Sequence, residues 1–124
     1  YGLKSGAVAP SVAHDSHNII CVGTNDEDMA FAVNRIARNH GGIVVVENGQ
    51  VLAELPLEIA GIISGKPLRE VNTLLEDAKK AAHALGVGTD IDPFMTLSFM
   101  SLPVIPTLRL TTRGVVDVNT QQYV

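Results

Sequence analysis

The segment Gly42–Leu55, GIVVVENGQVLAEL, constrains the fold more than any other part of the chain. Two β-branched apolar runs flank Asn48-Gly49, and Asn-Gly is the dipeptide that most readily accepts the two positive φ angles of a type I′ turn. Ile43–Glu47 and Gln50–Leu55 are therefore expected to form an antiparallel hairpin closed by Pro56. Any architecture for this chain has to accommodate that pair.

The flanking segments alternate in period. Asn18–Gly23, NIICVG, reads as a short buried strand ended by glycine. Thr24 and Glu27 have capping-box spacing, and Met29, Ala32, Val33, Ile36 and Ala37 recur at helical spacing up to Asn39. This strand-helix unit favours a parallel neighbour, whereas the hairpin must be antiparallel. LEIAGIISG (57–65) is an apolar link with room for one short helix. Pro67 suits a first helical position, and Leu68, Val71, Leu74, Leu75, Ala78, Ala82 and Leu85 trace one face of a long helix ended by Gly86. Glu76, Asp77, Lys79 and Lys80 fall mostly on its solvated side.

Asp92 and Pro93 supply a cap and a first position for another helix, and Phe94–Met100, FMTLSFM, is apolar almost all round, as expected of a buried or interface segment. Pro103 and Pro106 then enforce extended chain, and RGVVDV (113–118) reads as a tail or edge strand. The expected class is α/β: a single domain over residues 1–124 with a mixed parallel and antiparallel sheet, a β-hairpin and flanking helices.

At 124 residues and 46% hydrophobic composition there is one core and no room for a second ordinary domain. The net charge of −4, with lysines and arginines scattered among acidic residues, lacks the basic stripe of a nucleic-acid binder. No apolar run approaches the roughly 20 residues needed to cross a bilayer, and the chain does not open as a signal peptide, so a cytoplasmic location is expected. Opening at Tyr1 in a segment already patterned suggests a piece of something longer. Cys21 is the only cysteine, which excludes an internal disulfide, and within NIICVG it is expected to be an inert core thiol.

Chemistry-bearing residues concentrate in Ser11–Asp26, SVAHDSHNIICVGTND. His14 and His17 have a spacing that reaches one metal if the backbone turns helically, but two ligands without a third do not make a site. Asp15, Ser16 and Asn18 suit side-chain-capped turns. Against a purely structural reading, two histidines flanking a carboxylate beside a buried strand also suit proton transfer or orientation. A Ser16-His17-Asp15 triad is disfavoured because adjacent side chains on an extended chain diverge. One glycine in VGTND does not make a phosphate loop, and the H-x-E with P-C-x-x-C signature of zinc deaminases is absent.

SGAVAPSVAHDSHNIICVGTNDEDMAFAVNRI, GGIVVVENGQVLAELPLEIAGIIS and DPFMTLSFMSLPVIPTLRLTTRGVVDV, in that order, strongly resemble the carboxy-terminal domain of bacterial adenine deaminases, members of the amidohydrolase superfamily. The resemblance implies hydrolysis of adenine to hypoxanthine and ammonia by a parent protein. It also implies a (β/α)8 barrel holding a divalent metal (manganese, with iron or zinc as alternatives), a small β-rich domain, and this α/β domain at the end. The barrel's H-x-H motif has no counterpart here, so the resemblance places the metal ligands outside this chain, with no metal bound by it. On the same basis His14, Asp15, Ser16 and His17 are candidates for lining the active site or contacting the purine, with no residue assigned to catalysis. The implied partners are the barrel of the same polypeptide, adenine and further copies in a homo-oligomer, but neither nucleic acid nor membrane. Rival readings are a free-standing small-ligand-binding or oligomerisation domain, and a complete small hydrolase built on His14 and His17.

Overall fold

A computed structural model describes all residues, 1–124. Its main sheet has four strands, β1 (Ala7–Pro10), β2 (Val22–Gly23), β3 (Gly42–Glu47) and β4 (Gln50–Pro56), in the order β2-β1-β3-β4. Helix α1 (Asp26–Arg38) lies on one face; α2 (Leu68–Ala84) and α3 (Pro93–Ser98) lie on the other. Strands β5 (Leu108–Thr111), β6 (Gly114–Asp117) and β7 (Gln122–Tyr123) form a second, smaller antiparallel sheet.

Side chains alternate across a strand, so a sheet covered on both faces needs apolar residues at every position. The centre of the main sheet meets that demand. Ala7, Ala9, Val44 and Val46 pack with Ala32 and Ile36 of α1, while Val8, Ile43, Val45 and Leu55 face Ala78, Ala82, Leu85, Phe94 and Leu97. The alanines of β1 allow α1 to approach the backbone closely.

The α/β class, the hairpin and the flanking helices agree with the sequence, but every strand pairing is antiparallel. The expected mixed sheet therefore needs correction, and β1 is the reason. It pairs antiparallel with both β2 and β3, so the latter two run in the same direction without touching. The strand-α1-strand unit is present, but the position of its parallel hydrogen-bonded neighbour is taken by β1. Only Val22–Gly23 of the expected Asn18–Gly23 strand enters the ladder, preceded by a contact from Ile20 N–H to the Pro10 carbonyl at 3.1 Å.

Other boundaries shift for local reasons. Thr24 does not cap α1, because both its amide and its hydroxyl donate to the Gly6 carbonyl. The cap falls to Asn25, whose Oδ1 accepts from the Asp28 amide at 2.8 Å. The link after β4 makes no helix: Ile59 and Ile63 bridge across a tight turn with Ala60 and Gly61 at positive φ. Pro67 stands just outside α2, which leaves Leu68 exposed rather than on the core face. The expected tail strand is β6, paired on both sides within the smaller sheet.

Asn48 and Gly49 adopt φ of 52° and 70°, as the hairpin requires. Their amides donate to the buried carboxylate of Asp28 at 3.1 and 2.8 Å, joining the hairpin turn to the first turn of α1. The Gly49 amide, followed by the Asn25 side chain and the Asn48 amide, outweighs burial and holds the Asp28 carboxyl below the usual carboxylate range. A folded pKa below the unfolded one means this stabilisation is complete above the ordinary value of about 3.9 and is lost as pH falls through it towards the folded value. Asp28→Asn is therefore expected to lower the denaturation midpoint at neutral pH and to flatten its decline in acid, as read by denaturant titrations across pH. Parallel curves for the two proteins would remove Asp28 from the acid response.

Candidate functional site

Beyond β1 the chain is held at three points before it reaches the histidines. The Ser11 amide donates to the Gly42 carbonyl at 2.8 Å, continuing the ladder. Buried Ser11 Oγ accepts from the Gly42 amide at 2.7 Å and donates to the Gly61 carbonyl at 2.5 Å, bringing the 57–65 turn beside β1. The His14 amide then donates to the Ser98 carbonyl at the end of α3, at 2.8 Å. His14–His17 thus forms a turn anchored between the main sheet and α3.

The His17 amide closes this turn onto the Ala13 carbonyl at 2.6 Å, with His17 at a φ of 51°. The Ala13 amide in return donates to His17 Nδ1 at 3.3 Å. A ring nitrogen that accepts an N–H carries no proton, so neutral His17 keeps its proton on Nε2 and presents a donor. The His14 ring stacks on Phe99, with centroids 5.1 Å apart and planes at 22°, and meets the His17 ring edge-on at 5.4 Å.

All four candidates of the His14-Asp15-Ser16-His17 stretch are therefore in one turn, but in different roles. The imidazoles are half-buried, whereas Asp15 and Ser16 are exposed. Ser16 Oγ accepts from Asn18 Nδ2 at 2.9 Å, which is turn chemistry rather than nucleophile activation. The Ala13 amide, not Asp15, orients His17. No three His, Cys, Asp or Glu side chains come together, so the donor set here does not fit a resident metal centre. Cys21 is half-buried, with its thiol pushed up to about 11 by burial and its Sγ 3.9 Å from the Met29 carbonyl, and it packs against the α1 side of the core.

A half-open cavity of about 210 Å³ is lined by Val12, Ile43, Leu75, Phe94, Met95 and Ser98, with the Lys79–Asp92 ion pair (3.0 Å) also in its wall. It is smaller than the roughly 300–1,000 Å³ of ordinary ligand pockets, and neither histidine lines it. The turn accordingly presents its polar groups at a surface. Phe99 and Ser98 escape a sequence reading because they lie more than 80 positions from His14, and no local spacing connects them.

A family model described as "Adenine deaminase C-terminal domain" matches residues 1–122. Similar proteins named adenine deaminase occur in Geobacillus kaustophilus, at 48% identity over the whole chain, and in Nitratidesulfovibrio vulgaris, at 53% over 99% of it. A protein named adenine deaminase 2 from Carboxydothermus hydrogenoformans is 54% identical over 96% of the chain. The chain spans only 22%, 22% and 21% of the length of these relatives.

Proposed function

Since this chain belongs to the adenine deaminase C-terminal domain family, we propose that it is the final domain of an enzyme that hydrolyses adenine to hypoxanthine and ammonia. The observation that carries this reading is the match over nearly the whole chain, at about half identity, to proteins that bear that name. In this reading the divalent metal, manganese or else iron or zinc, is held by a barrel domain elsewhere in the parent, in keeping with the lack of three clustered His, Cys, Asp or Glu side chains here. There the metal supplies the activated water. The parent is a cytoplasmic homo-oligomer in this reading, and the domain alone is inactive.

The contribution of this domain is recognition and closure. The His17 Nε2–H is a donor held in a fixed direction, which suits an acceptor nitrogen on a purine edge. His14, stacked on Phe99 and met edge-on by His17, offers a second ring in a restrained orientation, and exposed Asp15 and Ser16 add an acceptor and a hydroxyl beside it. These groups line none of the domain's main cavities, in keeping with a site completed by another part of the parent. Residues 1–124 alone should release no hypoxanthine from adenine with any of the three metals, whereas the full-length parent should do so and stop when the metal is chelated. Failure of the metal-loaded parent to deaminate adenine would overturn the reading.

A further inference from the structure

The smaller sheet is built unlike the rest of the molecule. Its strands have four, four and two residues, and Val116 is their only buried residue. They pack chiefly on one another, although a sheet of this size needs a covered apolar face to be stable. In β5, Leu108 and Leu110 share one side, and Leu110 stands directly opposite Val115 of β6. Leu108, Leu110 and Val115 are 51%, 61% and 37% exposed.

This side continues into the body of the domain. The Leu110 amide donates to the Met100 carbonyl at 3.2 Å, and exposed Met100 follows Phe99, on which His14 stacks. An apolar strip thus runs from the small sheet through Met100 and Phe99 to the histidine turn. Ser101 Oγ, a buried side-chain polar atom without a partner in the chain, follows Met100 in the same stretch, a second sign that it is incomplete by itself. Phe94–Met100 is divided accordingly: Phe94, Leu97 and Ser98 are core, whereas Met95, Phe99 and Met100 face outward.

We propose that this strip, Phe99, Met100, Leu108, Leu110 and Val115, is the face on which the preceding part of the same parent polypeptide docks. The inference rests on reading the chain as the end of a longer deaminase, and two observations select that occupant. The relatives are several times longer than this chain, which leaves ample polypeptide to cover the strip. The strip also ends at His14, so a domain seated on it brings its own surface against the histidine turn.

The test is hydroxyl-radical footprinting of the full-length parent, with Leu68 as an internal reference because it has the same chemistry and is 84% exposed. Docking predicts that Leu108 and Leu110 are labelled several-fold less than Leu68, and that dilution to the monomer does not change this. Labelling comparable to Leu68, or protection lost on dilution because a second copy covers the strip, would overturn the proposal. As a further check, Leu110→Asp in the parent should speed proteolytic release of this domain, and Leu68→Asp should not; equal release would count against docking. Deamination measured on the same wild-type sample separates this outcome from failure of the functional reading.

Discussion

Replacing Ile36 by alanine is expected to destabilise the domain by about 2–5 kcal/mol, among the largest losses available to a single core truncation here. Ile36 is 1% exposed, the largest of the fully buried side chains, and packs between α1 and the sheet. Its neighbours include Ala7, Ala9 and Ala32, which have no side-chain length with which to collapse into the space. A cavity that cannot relax adds its own term to the lost transfer energy. Ile36→Val removes one methylene and should cost only about 0.5–1.5 kcal/mol. Urea denaturation of the two variants, read as a shifted midpoint at constant slope, checks the ratio. Equal small losses would mean that the α1 side of the core is loosely packed.

Gly6→Ala should be comparably damaging, on the order of 3 kcal/mol, for a different reason. Gly6 has a φ of 73°, and an added Cβ runs into the Val46 carbonyl oxygen and the Leu85 side chain. Gly49, in the hairpin turn, has nearly the same φ of 70° but open space around it. Gly49→Ala therefore carries only the left-handed backbone cost of about 1–2 kcal/mol. Because the dihedral contributions match, the difference between the two midpoints measures the clash where β1 is threaded beside β3. Equal midpoints would show that the backbone relaxes there without cost.

The contrast between those two glycines also shows which features were legible in the sequence. The hairpin was, since Asn48-Gly49 and the β-branched runs around it act within a few residues. So were the Asp92-Pro93 start of α3 and the outer face of α2. β1 is not legible because Ala7–Pro10 is short and has Val8 as its one β-branched residue; its strand character comes from lying between two other strands under α1. The capping of α1 is displaced by a single residue because Thr24 donates instead to the distant Gly6 carbonyl. In the candidate site, the cluster His14-Asp15-Ser16-His17 was visible as composition. Its working parts were not: the Ala13 amide that fixes the His17 tautomer and the Phe99 ring under His14 depend on turn geometry and on a contact distant in sequence.

The proposed role of the histidine turn is to border the active site of the parent. The most direct measurement is steady-state adenine deamination by the full-length enzyme carrying His14→Ala, Asp15→Ala or His17→Ala, with circular dichroism and metal content recorded for each. Loss of a hydrogen bond to a buried ligand group is worth about 1–3 kcal/mol, so kcat/KM should fall roughly 5- to 150-fold for His17→Ala. His14→Ala should also lower it, and Asp15→Ala should have the smallest effect, because Asp15 does not orient either ring; fold and bound metal should be unchanged in all three. Wild-type kinetics in all three variants would contradict the account and leave the histidine turn as a structural feature alone.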